Sequence, residues 1–213
     1  MKGRYGVRKK NKKAVVLSIL AVVAAVLVAG TAGVFALCQS WLQDLPDYTN
    51  VDEFNVAKPS TVYASDRTTV LAEFQLENRT PVEYDQVSEL VLKGTVATED
   101  ERFYDHGGVD LMGVARAVVN NLLGGELEGA STITQQFVRN TILSDEMTDI
   151  SFKRKIREMY IALKLEEQYS KDEILLMYLN TINYGDGCHG IEAAAQHYYS
   201  KHSNELTIAQ AAT

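Results

Sequence analysis

The stretch Ser151 to Gln168, SFKRKIREMYIALKLEEQ, decides the fold class. Its apolar residues Phe152, Ile156, Met159 and Leu163 are separated by four, three and four positions, the repeat of one helix face. A helix is predicted here, with that stripe turned inward. Just beyond it, Ser170-x-x-Glu173 is a capping box that opens another helix, with Ile174, Leu175, Tyr178 and Leu179 facing inward. Toward the N-terminus the helical pattern holds back to about residue 85. Val87, Leu90 and Val91 begin one helix, Leu111 to Leu123 forms another that stops at Gly124-Gly125, and Ser131 to Ile142 is a third. Toward the C-terminus, Gly185 to Gly190 reads as a loop, and Ile191 to Tyr199 and Thr207 onward read as further helices. Residues 61–84 differ: β-branched and aromatic runs around Ser65-Asp66-Arg67 predict a small hairpin or extended arm. The expected fold is mainly α with a small β arm.

Upstream of the arm the composition changes sharply. Lys2, Arg4, Arg8, Lys9, Lys10, Lys12 and Lys13 crowd residues 1–13, a basic tail. Ala14 to Leu37 then carries no charge over 24 residues, and the next charged residue is Asp44. At roughly 1.5 Å per residue, that run crosses a hydrocarbon core of about 30 Å. The expectation is an uncleaved transmembrane helix over 14–37 with its basic flank in the cytoplasm and the remainder outside. A cleaved signal peptide is the alternative, although its apolar region is normally shorter. Residues 38–57, broken by Pro46, Asp47 and Asn50, read as a juxtamembrane connector, and residues 58–213 as one domain with a sizeable core. The chain stops at Thr213 inside an apparent helix, and a C-terminally truncated fragment is expected.

The part beyond the tail holds 14 of the 21 basic residues and all 28 acidic ones, a net of −14. Such a balance argues against a nucleic-acid partner. It also requires that any anionic substrate be met by locally placed Lys and Arg. Cys38 and Cys188 form no disulfide framework, and the absence of CxxC and HExxH argues against structural zinc.

Four polar constellations stand out. Glu99-Asp100-Glu101-Arg102-Phe103-Tyr104-Asp105-His106-Gly107-Gly108 follows an apolar helix end, where a carboxylate suits general acid–base work; a solvated acidic helix end with a structural histidine is the plain alternative. Phe103 falls on the face of Glu99 if this turn is helical. Gly129-Ala130-Ser131-Thr132-Ile133-Thr134-Gln135-Gln136 brings hydroxyls and paired amides to a helix N-terminus, a favourable place for anions, with Arg139 one turn further on; it also reads as an ordinary capped helix start. In Arg154-Lys155-Ile156-Arg157-Glu158, Lys155 and Glu158 share one flank at the core's edge, and spacing alone reads as a surface ion pair worth a few tenths of a kcal/mol. Lys171-Asp172-Glu173-Ile174-Leu175-Leu176-Met177-Tyr178-Leu179-Asn180 reads as scaffold.

In this order, the four segments resemble the peptidoglycan glycosyltransferase family 51, the domain shared by class A penicillin-binding proteins and monofunctional transglycosylases. The family patterns E-D-x-x-F-x-x-H-x-G, G-x-S-T-I-T-Q-Q, R-K-x-x-E and K-x-x-I-L-x-x-Y-L-N match residues 99–108, 129–136, 154–158 and 171–180. The resemblance covers about residues 60–213, including Glu77-Asn78-Arg79. It implies a lysozyme-like helical domain that polymerises lipid II into β-1,4 glycan strands with inversion and loss of undecaprenyl pyrophosphate. By the resemblance, Glu99 is the general base and Glu158 the second carboxylate at the donor site. Lys155, Arg139, Arg116 and Arg157 would meet the phosphates, and Ser131, Gln135 and Gln136 would line the cleft. Asp100 would help hold a divalent cation, Mg or Mn, with no organic cofactor. Implied partners are lipid II, the growing glycan strand, the bilayer of the bacterial cell membrane, and cell-wall synthesis and division proteins. Two departures stand out: Leu176 replaces a Glu that many members carry, and the segment Leu143 to Ile150 is acidic where some members are basic. A lysozyme-like hydrolase using Glu99 as general acid and a non-catalytic anchored scaffold are the competing readings.

Overall fold

The computed structural model describes residues 12–51, 60–74, 78–124 and 129–212. The basic tail up to Asn11, part of the connector and Glu77 lie outside the described residues. The chain divides into two units, Met1–Asp44 and Leu45–Thr213. The first contains one helix, α1, Lys12–Trp41, which overruns the expected 14–37 at both ends. Its stretch Val15–Trp41 is long and apolar enough to cross a membrane, and its large side chains are exposed.

The second unit is mainly helical. Strands β1 (Ser60–Tyr63) and β2 (Val70–Phe74) form the expected antiparallel hairpin. Asp66 closes its turn by accepting from the backbone N–H groups of Thr68 and Thr69 and from the Thr69 hydroxyl. A two-residue strand, β3 (Asn78–Arg79), leads to α2 (Glu89–Glu99), α3 (Leu111–Leu122), α4 (Ile133–Asn140), α5 (Phe152–Glu166) and α6 (Lys171–Thr181). Then follow β4 (Cys188–His189), parallel to β3, α7 (Ile191–Tyr199) and α8 (Ile208–Ala211).

The core gathers around α4. Its Ile133, Phe137 and Val138 pack with Phe103, with Ile161 and Leu165 of α5, and with Ile174, Leu175 and Leu179 of α6, all fully buried or nearly so. The capping box of Ser170 and Glu173 starts α6 as expected, and the four apolar residues predicted to face inward do so. The start of the second unit joins the same core: Val51 is buried, and Tyr48 meets Tyr160 edge-on at 6.4 Å. Asn180 anchors the segment after β3 through a two-way amide clasp on the backbone of Val82.

Helix α5 overturns one expectation. The Phe152/Ile156/Met159/Leu163 stripe is not its buried face: Phe152 is 85% exposed and Leu163 45%. The buried residues are Arg157, Glu158, Ile161, Ala162 and Leu165. Two charged residues on the inner face weaken its apolar periodicity, so the outer stripe reads as the stronger signal.

Candidate active site

Helix α2 ends at Glu99, and the chain turns at once. Asp100 caps the helix with non-helical backbone angles, φ −158° and ψ 75°, so Phe103 does not share the face of Glu99. Glu99 is exposed, whereas Phe103 is completely buried. The two adjacent carboxylates therefore have opposite surroundings. Glu99 lines an open cleft of about 400 Å³ with Leu90, Thr98, Tyr178, Ile182 and Tyr184, and also a narrow polar recess with Arg116 and Ser131. Asp100 is buried, and both its oxygens lie 3.0 Å from His106 Nε2. One of them also accepts from the backbone N–H of Ile133 at 3.1 Å. Ile133 is the first residue of α4, so the carboxylate sits at the positive end of that helix.

The rest of this segment fastens the turn. The ring of His106 stands edge-on to Phe103 at 6.3 Å. Lys171 covers the Phe103 ring at 4.3 Å while pairing with Glu166 at 2.6 Å. Gly108 has φ +87°, and a Cβ there would lie 2.8 Å from the backbone of Ala162. Only glycine lets this turn approach α5 so closely. Its carbonyl accepts from the Thr132 hydroxyl at 2.7 Å, and Thr132 in turn caps α4 by accepting from the Gln135 N–H.

Helix α4 carries the paired amides. At about 100° per residue, neighbours on a helix point in different directions, and these two meet opposite charges. Gln135 is buried and presents its oxygen to Lys155 Nζ at 2.9 Å. Gln136 presents its nitrogen to Glu99 Oε2 at 2.9 Å, and its oxygen accepts from the Tyr178 hydroxyl at 3.1 Å. Lys155 also donates to the Ser131 hydroxyl at 2.9 Å and to Glu158 Oε1 at 2.5 Å. The other oxygen of Glu158 accepts from Arg154 Nη1 at 2.6 Å. Arg154 Nε donates to the carbonyl of Asp149. Glu158 is fully buried, so the surface ion pair expected from spacing is instead an interior network of two cations on one carboxylate.

The remaining candidates divide. Arg116 lines the recess beside Glu99 and Ser131. Arg139, in the last turn of α4, lies near enough to Tyr178 for its charge to favour the phenolate. Arg157 points elsewhere: its side chain is 6% exposed and pairs with Glu146 at 3.2 Å, which removes it as an open cation for phosphate. Arg154, passed over in the sequence, occupies the network in its place. Tyr178, read as scaffold, is indeed buried, but its hydroxyl reaches the site. The oxygens of Asp100 are engaged by His106 Nε2 and by the Ile133 N–H. Among the described residues no group of three or more His, Cys, Asp or Glu could hold an ion, so no step is routed through a metal.

Burial and the nearby Glu99 charge push the hydroxyls of Tyr178 and Tyr184 well above their ordinary pKa, so both stay protonated donors. The site thus offers one open carboxylate with an amide donor on it and, across α4, a network with an excess positive charge. Such a pair suits removal of a proton from a hydroxyl beside a group that gains negative charge.

The chain has relatives among known proteins. The transglycosylase family model matches residues 67–213. Penicillin-binding protein 1A of Neisseria flavescens is 42% identical over 169 residues, 79% of this chain and 21% of that protein. Penicillin-binding protein 1F of Bacillus subtilis is 43% identical over 143 residues, 67% of this chain and 20% of that protein. Penicillin-binding protein 1A of Escherichia coli is 40% identical over 191 residues, 89% of this chain and 22% of that protein. The chain spans about a fifth of the length of these curated relatives. The four matched segments converge on one lysozyme-like helical domain, and this chain belongs to the transglycosylase family.

Proposed function

We propose that this chain is a membrane-anchored peptidoglycan glycosyltransferase of bacterial cell-wall synthesis that polymerises lipid II into β-1,4 glycan. The observation that carries this reading is the division of labour on α4, where Gln136 holds an open carboxylate and Gln135 a lysine. In the proposed reaction Glu99 takes the proton from the acceptor GlcNAc 4-hydroxyl. The freed oxygen attacks C1 of the donor MurNAc from the face opposite the leaving group, and the C1–O bond to undecaprenyl pyrophosphate breaks with inversion. The pyrophosphate gains charge as that bond breaks, so cations fixed in advance stabilise the transition state more than the ground state. Lys155 and Arg154 supply them, together with Arg116 and Arg139 at the rim. Glu158 keeps Lys155 and Arg154 in place.

The apolar helix α1 is the proposed anchor, with the transglycosylase domain outside the cell membrane. Leu111, Met112 and Leu122 of α3 and its capping residue Leu123 are all more than two thirds exposed, which suits a domain that works against a bilayer on a lipid-linked substrate. The test uses the full chain in detergent with labelled lipid II. Wild type is expected to build polymer. Glu99→Gln, which keeps the shape and the Gln136 contact, is expected to lose at least about 100-fold in rate with an unchanged melting temperature. Equal polymer from the variant removes Glu99 as base, and shortening of preformed glycan without polymerisation marks a hydrolase instead.

A further inference from the structure

The hydrogen-bond chain Tyr178–Gln136–Glu99 extends one step beyond the contact onto the carboxylate. An amide side chain has one donor end and one acceptor end, and the two are easily exchanged by a half-turn of the terminal torsion. An ionised carboxylate beside Gln136 favours the nitrogen end. A hydroxyl that donates to the oxygen end at the other side reinforces that choice. The Tyr178 hydroxyl is placed for this, 3.1 Å from Gln136 Oε1 on the face of α6 that packs into the core. Its ring is 2% exposed, so it has no freedom to swing away. From the hydrogen-bond chain and this burial, we infer that Tyr178 is a positioning residue for the base: it fixes the orientation of the Gln136 amide and through it the donor held against Glu99.

This inference rests on Glu99 acting as the base. Its physical content is separate. A donor held against the carboxylate fixes where its free oxygen points. When the Tyr178 hydroxyl is removed, the Gln136 amide is free to turn its oxygen toward Glu99, and the carboxylate loses the contact that orients it. The elevated pKa of the phenol, caused by burial and by the Glu99 charge, keeps Tyr178 a donor through the whole working range.

The test measures turnover and KM in lipid II polymerisation for wild type, Tyr178→Phe, Gln136→Met and the double variant, each as the full anchored chain in detergent, with melting temperature as the fold control. Tyr178→Phe keeps the ring and its packing. It is expected to lower turnover about three- to tenfold with KM nearly unchanged. Tyr178 acts only through Gln136, so the double variant is expected to be no slower than Gln136→Met alone. Unchanged turnover in Tyr178→Phe, a loss carried by KM alone, or losses that multiply in the double variant, overturn the inference. If Tyr178→Phe does not fold, Gln136→Met carries the test: wild-type turnover in that variant shows that the amide gives Glu99 no support, and the inference falls. A fully active Glu99→Gln is a different result, and it removes the base assignment itself.

Discussion

The two sides of α4 solve opposite problems with the same residue type. On one side Glu99 is exposed at the end of α2 and touched by a single amide nitrogen, from Gln136. On the other, Glu158 is fully buried and saturated by Lys155 and Arg154. An open carboxylate keeps lone pairs free to accept a proton from a substrate. One buried between two cations is shut off from a substrate and serves to fix the cations around it. The comparison teaches that the two acidic residues are not an acid–base pair of equal standing. In the proposed reaction Glu99 does the chemistry, and Glu158 holds charge in place.

The largest effect that would break this comparison is on Glu158. Removing one partner of a buried ion network leaves the others uncompensated and typically costs about 3–5 kcal/mol. Glu158→Ala is therefore expected to lower unfolding free energy by that amount and to abolish polymerisation, measured by urea denaturation and the lipid II assay. Glu99→Gln should lose activity alone. If Glu158→Ala keeps wild-type stability, the buried network is not holding the fold, and the contrast between the two wings collapses.

A third carboxylate sharpens the contrast, because it is saturated yet far from the chemistry in role. Glu192 of α7 is buried; it accepts from the Ser203 backbone N–H at 2.8 Å, from Gln196 Nε2 at 2.7 Å and from His202 Nδ1 at 2.7 Å. Burial alone would raise its pKa, but these donors outweigh it and hold the group at about 2. A folded value below the unfolded one contributes stability that is present above about pH 4.5 and lost as pH falls toward 2. The depression corresponds to on the order of 2–3 kcal/mol. Its partner His202 has a raised pKa because of Glu192, so its contribution is full below the ordinary histidine range and fades as pH rises through the folded value. Glu192→Gln is expected to lower stability at pH 6 and to flatten the loss between pH 4.5 and 2, while neutral-pH turnover per folded molecule stays at the wild-type level. Lost turnover in a folded Glu192→Gln protein would mean that saturation alone does not mark a carboxylate as structural.

Much of this was legible before the structure. Helix starts carry their own chemistry, so Ser170 with Glu173 marked α6 and Thr132 capped α4 within the Ser/Thr-rich run. The motifs placed Glu99, Gln136 and Lys155 because their order along the chain is specific. Three things were hidden. Adjacent residues Glu99 and Asp100 are both carboxylates, and no local pattern says which one the next turn will bury; that depends on His106 and on the α4 N-terminus, 33 residues away. The hydroxyl of Tyr178 is invisible in a pattern that counts it only as apolar. And Arg157 looked like a free cation because its partner Glu146 lies in the acidic segment between α4 and α5.

The smallest expected effect tests the misread face of α5, which also decides how Glu158 comes to be inside. A stripe at helical spacing names a face without saying which side is buried, and the burial of Arg157 and Glu158 turned this helix by roughly half a turn relative to the apolar reading. Phe152 is 85% exposed and Ile150, just before the helix, 98%, whereas Ile161 and Leu165 are fully buried. Phe152→Ser removes little packing and is expected to change unfolding free energy by no more than about 0.5 kcal/mol. Ile161→Ala, on the inner face, should cost about 2–5 kcal/mol. Urea denaturation of the two variants in the same detergent separates the faces. A large loss in Phe152→Ser with a small one in Ile161→Ala would turn the helix back, bring Glu158 to the surface, and reduce its network with Lys155 and Arg154 to the weak ion pair that spacing alone describes.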